Sequence, residues 1–240
     1  MTVSYNQRGL YFNGHHSQEF GLVETTDDSI GMPAKNKYTV SLVGSNSVLD
    51  LSNLYGPTYA ERTIQKTFIC NQAMWTPSAQ YSLWTAVVNW LMGPDEKTEL
   101  IDDVMDDWHY LAEVQEAPTF KEGLHVATIT VSFTAYPFRI KNDAEFDDVW
   151  DTFAFETDVA QETSFDTSGR NAGVLVNIGV ANVAIQVTTS AALTMTINGT
   201  DYALSKGANA DSELVLMPGE NAIDFTGSGT ATVSWHQEVI

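Results

Sequence analysis

The chain is poor in the residues that would make its function easy to read. It has a single cysteine, Cys70, so no internal disulfide can form and the fold rests on its core. Cys70 follows Phe68 and Ile69, a setting that suits a small buried hydrophobe rather than a nucleophile. Basic residues are also scarce: 11 Lys and Arg face 31 Asp and Glu, for a net charge of −20. A surface of that sign repels phosphate backbones and anionic membranes, which excludes direct nucleic-acid binding and membrane attachment. No apolar run approaches a membrane span. The first residues, MTVSYNQRGL, lack the basic-then-apolar order of a secretory signal, so the chain is expected to be made and assembled in a cytoplasm. No glycine-rich phosphate loop with its lysine is present.

What remains is a chain of 240 residues, 43% hydrophobic, enough for one large domain or two modest ones. The best boundary lies between Arg139 and Asp148. Before it, ATITVSFTAYPF (127–138) reads as the closing strand of a first domain, with Val126, Ile129, Val131 and Phe133 suited to a sheet and Pro137 limiting the pairing. After it, KNDAEFDD is polar, as linkers are. The expected domains are therefore 1–139 and 140–240. Only three of the bases, Lys141, Arg170 and Lys206, fall beyond residue 140, so neither half is a basic arm.

The first half is mostly strand with one helix. Thr76-Pro77 supplies an N-cap and a proline at the first helical position, and Ser78 to Met92 follows. Ser78, Ser82, Thr85 and Asn89 form a polar stripe, and Leu83, Trp84, Val87, Val88, Trp90 and Leu91 cover most of the rest. Gly93-Pro94 ends the helix, with Gly93 expected in the left-handed C-terminal conformation. Residues 98–116 read as a hairpin turning through Asp102-Asp103-Val104-Met105-Asp106-Asp107, with Trp108, Tyr110, Ala112 and Val114 on one face.

The second half alternates without a helix: Val174, Val176, Ile178 and Val180; Val183, Ile185 and Val187; Leu193, Met195 and Ile197 up to Asn198-Gly199; then Tyr202 and Leu204. Asn-Gly between such runs is a strong hairpin signal, because both turn residues must accept positive φ. Leu214 and Leu216 lead to a turn at Pro218-Gly219-Glu220-Asn221, followed by Ile223 and Phe225. Ala231, Val233 and Trp235 form the last strand. Short strands between turn signals imply an antiparallel sandwich.

Few residues suggest chemistry. The four aspartates at 102–107 could attract calcium, but Val104 and Met105 interrupt the alternate-ligand pattern, and a solvated turn fits better. His15 and His16 are adjacent and on a strand would point to opposite faces. His109, His125 and His236 are isolated. Gly227-Ser228-Gly229 is too short for a nucleophile elbow. Asn198-Gly199-Thr200 matches a glycosylation sequon, but the turn reading prevails. No residue is assigned as catalytic, cofactor-binding or metal-ligating, and no enzyme activity is expected.

The stretch YTVSLVGSNSVLDLSNLYGPTYAERTIQKTFI (38–69) carries a different message. It runs strand, Gly-Asn turn, short apolar run, second turn, strand. Together with Tyr11-Phe12-Asn13-Gly14 and Phe20-Gly21-Leu22-Val23, and with ITVSFTAYPFRI, TINGTDYAL and LMPGENAIDFTGSGTATVSW further on, it resembles the distal tail proteins of long-tailed, non-contractile bacteriophages (siphophages). The resemblance implies a mainly β chain with one prominent α-helix: an N-terminal β-barrel or sandwich that forms a ring, then a C-terminal galectin-like antiparallel β-sandwich. It implies a virion component at the distal end of the tail, a hexameric ring joining the tail tube to the baseplate or adhesion device. The partners would be the major tail tube protein, a tail-associated hub protein and a receptor-binding protein. Leu100 to Glu116, or the loop around Tyr55-Gly56-Pro57, would supply the element that reaches the next subunit. The alternative is a stand-alone carbohydrate-binding module. Against it, residues 141–240 hold one arginine, Arg170, and one histidine, His236. Trp235 is in register with the core, which leaves Trp150 as the only free indole platform.

Overall fold

Alternation in the long strands sets the architecture. The computed structural model describes residues 8–44, 46–52, 54, 57–70, 76–123, 126–145 and 158–240. In the strand Ala127–Ala135 every second side chain, from Ala127 through Ile129, Val131 and Phe133 to Ala135, is buried. Its neighbour Arg62–Cys70 buries Arg62, Ile64, Lys66, Phe68 and Cys70 in the same way. The two strands pair antiparallel along their full length, from Ala127 opposite Cys70 to Ala135 opposite Arg62. Ala127–Ala135 is the last long strand before the boundary, and in the sheet it is central, between Trp108–Glu113 and Arg62–Cys70.

The chain divides into two units, Met1–Arg139 and Ile140–Ile240. In the first, antiparallel strands follow in the order His15–His16, Leu10–Phe12, Thr98–Asp102, Trp108–Glu113, Ala127–Ala135, Arg62–Cys70 and Leu22–Glu24. Thr119–Lys121 adds to Ala127–Ala135, and Ser29–Ile30 to Arg62–Cys70. The sheet curls over a core of Leu10, Phe12, Leu22, Ile64, Phe68, Ile129 and Phe133, onto which the helix Pro77–Met92 places Val87, Trp90 and Leu91. The Trp90 indole stacks on Phe20 and donates its N–H to the Phe12 carbonyl at 2.7 Å.

The helix starts as expected. The Thr76 hydroxyl accepts from the Ala79 N–H at 3.3 Å and Pro77 is the first residue. Its end differs. Gly93 lies in the right-handed region at φ −73°, not the left-handed one. Glycine is needed there for space, since a Cβ would stand 2.7 Å from the Asn89 carbonyl oxygen.

The second unit is the expected antiparallel sandwich. One sheet runs Ser164–Asp166, Thr230–Ser234, Val183–Thr189 and Gly207–Leu216; the other runs Ala172–Asn177, Gly219–Gly227, Leu193–Ile197 and Thr200–Leu204. Arg139–Ala144 pairs with His236–Val239, a strand beyond the last one expected. Asn198 and Gly199 take φ 49° and 85° in the two-residue turn between Leu193–Ile197 and Thr200–Leu204. Two details differ. The strand Ala172–Asn177 turns Leu175 and Asn177 inward and leaves Val174 exposed. The later turn is tighter than expected, with a strand already begun at Gly219.

Candidate interaction surface

The segment from Ser29 to Gln65 begins and ends in the sheet of the first unit, and between Gly31 and Glu61 it runs out as a two-stranded arm. Near the sheet Ser29 and Ile30 pair with Gln65 and Ile64, and the Gly31 N–H donates to the Thr63 carbonyl at 2.8 Å. Further out Ala60 donates to Ala34, Lys35 bridges Tyr59 and Asn36 donates to Thr58. At its end lies a hairpin, Thr39–Ser41 with Val48–Asp50, turning at Gly44 with φ 80°. The Tyr38 N–H donates to Ser52 Oγ at 2.8 Å, and Lys37 pairs with Asp50 at 2.8 Å, which holds the Asp50 carboxyl below its usual range.

Register sorts the hairpin into two faces. Val40 stands opposite Leu49, and Tyr38 lies one pleat back, its carbonyl accepting from the Leu51 N–H. Tyr38, Val40, Leu42, Leu49 and Leu51 thus share one face, and Thr39, Ser41, Val48 and Asp50 the other. The apolar face is open to solvent, with exposures from 36% for Leu51 to 60% for Tyr38. An isolated hairpin is marginally stable in water, and its strand edges invite pairing. Five large apolar side chains on such an element mark a surface that is covered in use.

The hairpin of this arm lies inside the 38–69 stretch, and the returning side of the arm, from Thr58, adjoins the expected loop around Tyr55-Gly56-Pro57; the other candidate, Leu100 to Glu116, is a separate element. The hairpin Thr98–Asp102 with Trp108–Glu113 sits within the sheet, between Leu10–Phe12 and Ala127–Ala135, with Val104 exposed at its turn. Tyr55 and Gly56 lie outside the described residues.

A second charge-free surface is on the helix. Pro77–Met92 contains no charged residue. Tyr81 and Met92 are exposed, Val88 and Trp84 are half-buried, and the Tyr81 and Trp84 rings approach Phe120. The expected polar stripe is present, and its hydroxyls turn back on the helix: Ser82 Oγ donates to the Ser78 carbonyl and Thr85 Oγ1 to the Tyr81 carbonyl.

The interior of the first unit holds a charge cluster that sequence reading did not isolate. Lys66 Nζ donates to Glu24 Oε1 and Asp102 Oδ2, with Asp28 Oδ2 at 3.8 Å. Lys66 and Glu24 side chains are almost fully buried. Burial pushes the Glu24 carboxyl up to about 8, helped by the Asp28 carboxylate and opposed by Lys66. No donor reaches Glu24 Oε2, so a proton there satisfies it and gives Asp28 a donor. For Lys66, burial lowers the pKa but the Asp102 and Glu24 hydrogen bonds outweigh it, and the net shift is upward. The signal was present in RTIQKTFIC, where Arg62 and Lys66 keep step with Ile64 and Phe68. Arg62 is also buried, donating to Tyr110 Oη at 3.2 Å with its guanidinium over the ring.

The residues weighed for chemistry are dispersed. Asp102 serves Lys66, while Asp103 faces His16 Nε2 at 3.0 Å. The Gln18 N–H donates to His16 Nδ1, so the ring proton is on Nε2 and points to Asp103. His15 instead meets Glu19 at 2.8 Å, so the adjacent histidines diverge. Among the described residues no group of three or more His, Cys, Asp or Glu is placed to hold a metal ion. Burial pushes the Cys70 thiol up to about 11, and it donates to the Gly21 carbonyl. His109 is on the strand Trp108–Glu113, and His236 Nδ1 lies 2.9 Å from the Lys141 carbonyl. Gly227-Ser228-Gly229 is a turn between strands. Arg170 pairs with Glu162, and Trp235 is in the core. His125 and Trp150 lie outside the described residues. No helix among the described residues is long and apolar enough to cross a membrane.

No family model matches the chain, and no curated protein matches it. Solved structures do. One is the crystal structure of the SPP1 Dit (gp 19.1) protein, described as a paradigm of the hub adsorption apparatus in phages that infect Gram-positive bacteria. It aligns over 97% of this chain and 99% of that one, with a TM-score of 0.67 at 11% identity. The two chains share a fold along nearly their whole length.

Proposed function

We propose that this chain is a structural, non-enzymatic component of a phage tail tip: a distal tail protein whose first unit closes into a hexameric ring between tail tube and adhesion device. The observation that carries the reading is the arm, whose hairpin exposes five large apolar side chains in a fold shared with SPP1 Dit. A monomer gains nothing from such a surface, whereas a ring covers every copy of it. The second unit is a closed sandwich that serves as a docking scaffold for receptor-binding and hub proteins. The major tail tube protein stacks on the ring. The protein is assembled in the host cytoplasm and ends in the virion at the distal tail.

Acidity suits this role, because a negative lumen lets DNA pass without adhering. It also opposes assembly, since each chain brings a charge of −20. Light scattering coupled to size exclusion, with negative-stain imaging, tests the proposal. Closed rings are expected at moderate ionic strength, where screening acts within about 10 Å. A strict monomer at tens of micromolar, also when tail partners are added, overturns it.

A further inference from the structure

Resting on the ring reading, we infer that the apolar face of the hairpin of one copy seats on the helix Pro77–Met92 of the next copy. A ring needs a heterologous contact, in which one surface meets a different one; a hairpin meeting the same hairpin stops at a dimer. Outside the arm and its root, the exposed large apolar residues described in the first unit are Tyr11, Tyr81, Met92, Val104 and Val126. Only Tyr81 and Met92 belong to one rigid element. They lie on a single helical stripe that runs through Thr85 and Val88, with Trp84 at its border.

Size and chemistry match. From Tyr81 to Met92 the stripe is about 16 Å long at 1.5 Å per residue. From Tyr38 to Leu42 the hairpin face extends about 14 Å at 3.4 Å per residue. Neither surface carries a charge, in a chain where most contacts between copies would bring acid against acid. Charge depletion with aromatic enrichment is the mark of an interface centre. The Thr85 hydroxyl on the stripe is already satisfied within the helix, its Oγ1 donating to the Tyr81 carbonyl at 2.9 Å.

The test is cross-linking of the full chain in a Cys70→Ser background, which removes the only thiol. Leu49→Cys is combined with Thr85→Cys, and separately with Met92→Cys; all three positions are exposed, and circular dichroism checks the fold. Mild oxidation is expected to give covalent dimers and a ladder of higher species from at least one pair. Leu49→Cys alone and Thr85→Cys alone should remain monomeric on denaturing gels. Rings seen by light scattering but not cross-linked by either pair overturn the helix contact and leave the ring reading intact. Dimers from Leu49→Cys alone mean a hairpin-to-hairpin contact and overturn it as well. Absence of any oligomer at all overturns both readings.

Discussion

The two units solve the same packing problem in opposite ways. The second closes on itself: most of its inward positions are apolar, and Asn177, Asn221 and the buried Lys141–Asp158 pair find partners within the unit. Asn221, fully buried, donates to the Met217 and Gly219 carbonyls and accepts from Met217 N–H and Asn198 Nδ2. Among its described residues only Val174, Val180, Met217 and Ile240 are exposed large hydrophobics. The first unit buries a larger cluster of charges and also exposes an apolar face. Lys66 and Arg62 occupy core-facing register positions, while Tyr38, Val40, Leu42, Leu49 and Leu51 face water. The second unit leaves few apolar side chains open, whereas the first carries unspent apolar surface, and the proposed ring draws on that difference.

That contrast can be broken most sharply at the arm. Leu49→Glu should lower the ring fraction at least tenfold, about 1.4 kcal/mol per interface, while Val174→Glu in the second unit leaves it unchanged. Sedimentation velocity reads both, and equal effects would remove the distinction between the units. Next in size is the buried lysine. Lys66→Met strands Glu24 and Asp102 and should destabilise the first unit by about 3–5 kcal/mol, the cost of removing one partner of a buried ion cluster. Hydrogen exchange resolved by unit should show faster exchange in Arg62–Cys70 and slow exchange kept in Leu193–Ile197.

The pH response separates the units more finely. With its carboxyl pushed up to about 8, Glu24 binds its proton more tightly folded than unfolded. The stability it contributes is complete below its ordinary value of 4.5 and is lost as pH rises through about 8. Glu24→Gln should flatten the loss of first-unit protection over that interval. In the second unit burial also raises Glu145, tempered by Lys141 and Gln161, so its protection should begin to fall above 4.5. A first unit whose protection rises between pH 5 and 8 would sink this account of the cluster. The smallest effect is at the helix cap: Thr76→Ala should cost about 1 kcal/mol in chemical denaturation, confined to the first unit.

Legibility also differed between the units. In the second, Val183–Thr189, Leu193–Ile197 and Gly219–Gly227 follow the alternation of their apolar residues, because each strand has one face on the core and one in water. Ala172–Asn177 departed because Asn177 takes an inward position: its amide donates to the Ala181 and Leu216 carbonyls, so a polar residue fits where the pattern calls for an apolar one. In the first unit, alternation could not tell an exposed apolar face from a buried one. YTVSL reads like a core strand, and only the lack of a covering layer makes it a surface.

By itself the sequence determined the features governed by local backbone physics. Pro77 and Thr76 start the helix, Asn198-Gly199 makes the turn its φ values require, and the period-2 runs select an antiparallel β chain in two parts. The single cysteine determined that no disulfide forms within the chain. Tertiary structure alone decided what depends on residues far apart in the chain. It placed Glu24, Asp28 and Asp102 around Lys66, made Ala127–Ala135 central, and left the hairpin uncovered. Local periodicity records which side chains share a face, while burial and pKa depend on what the rest of the fold sets against that face.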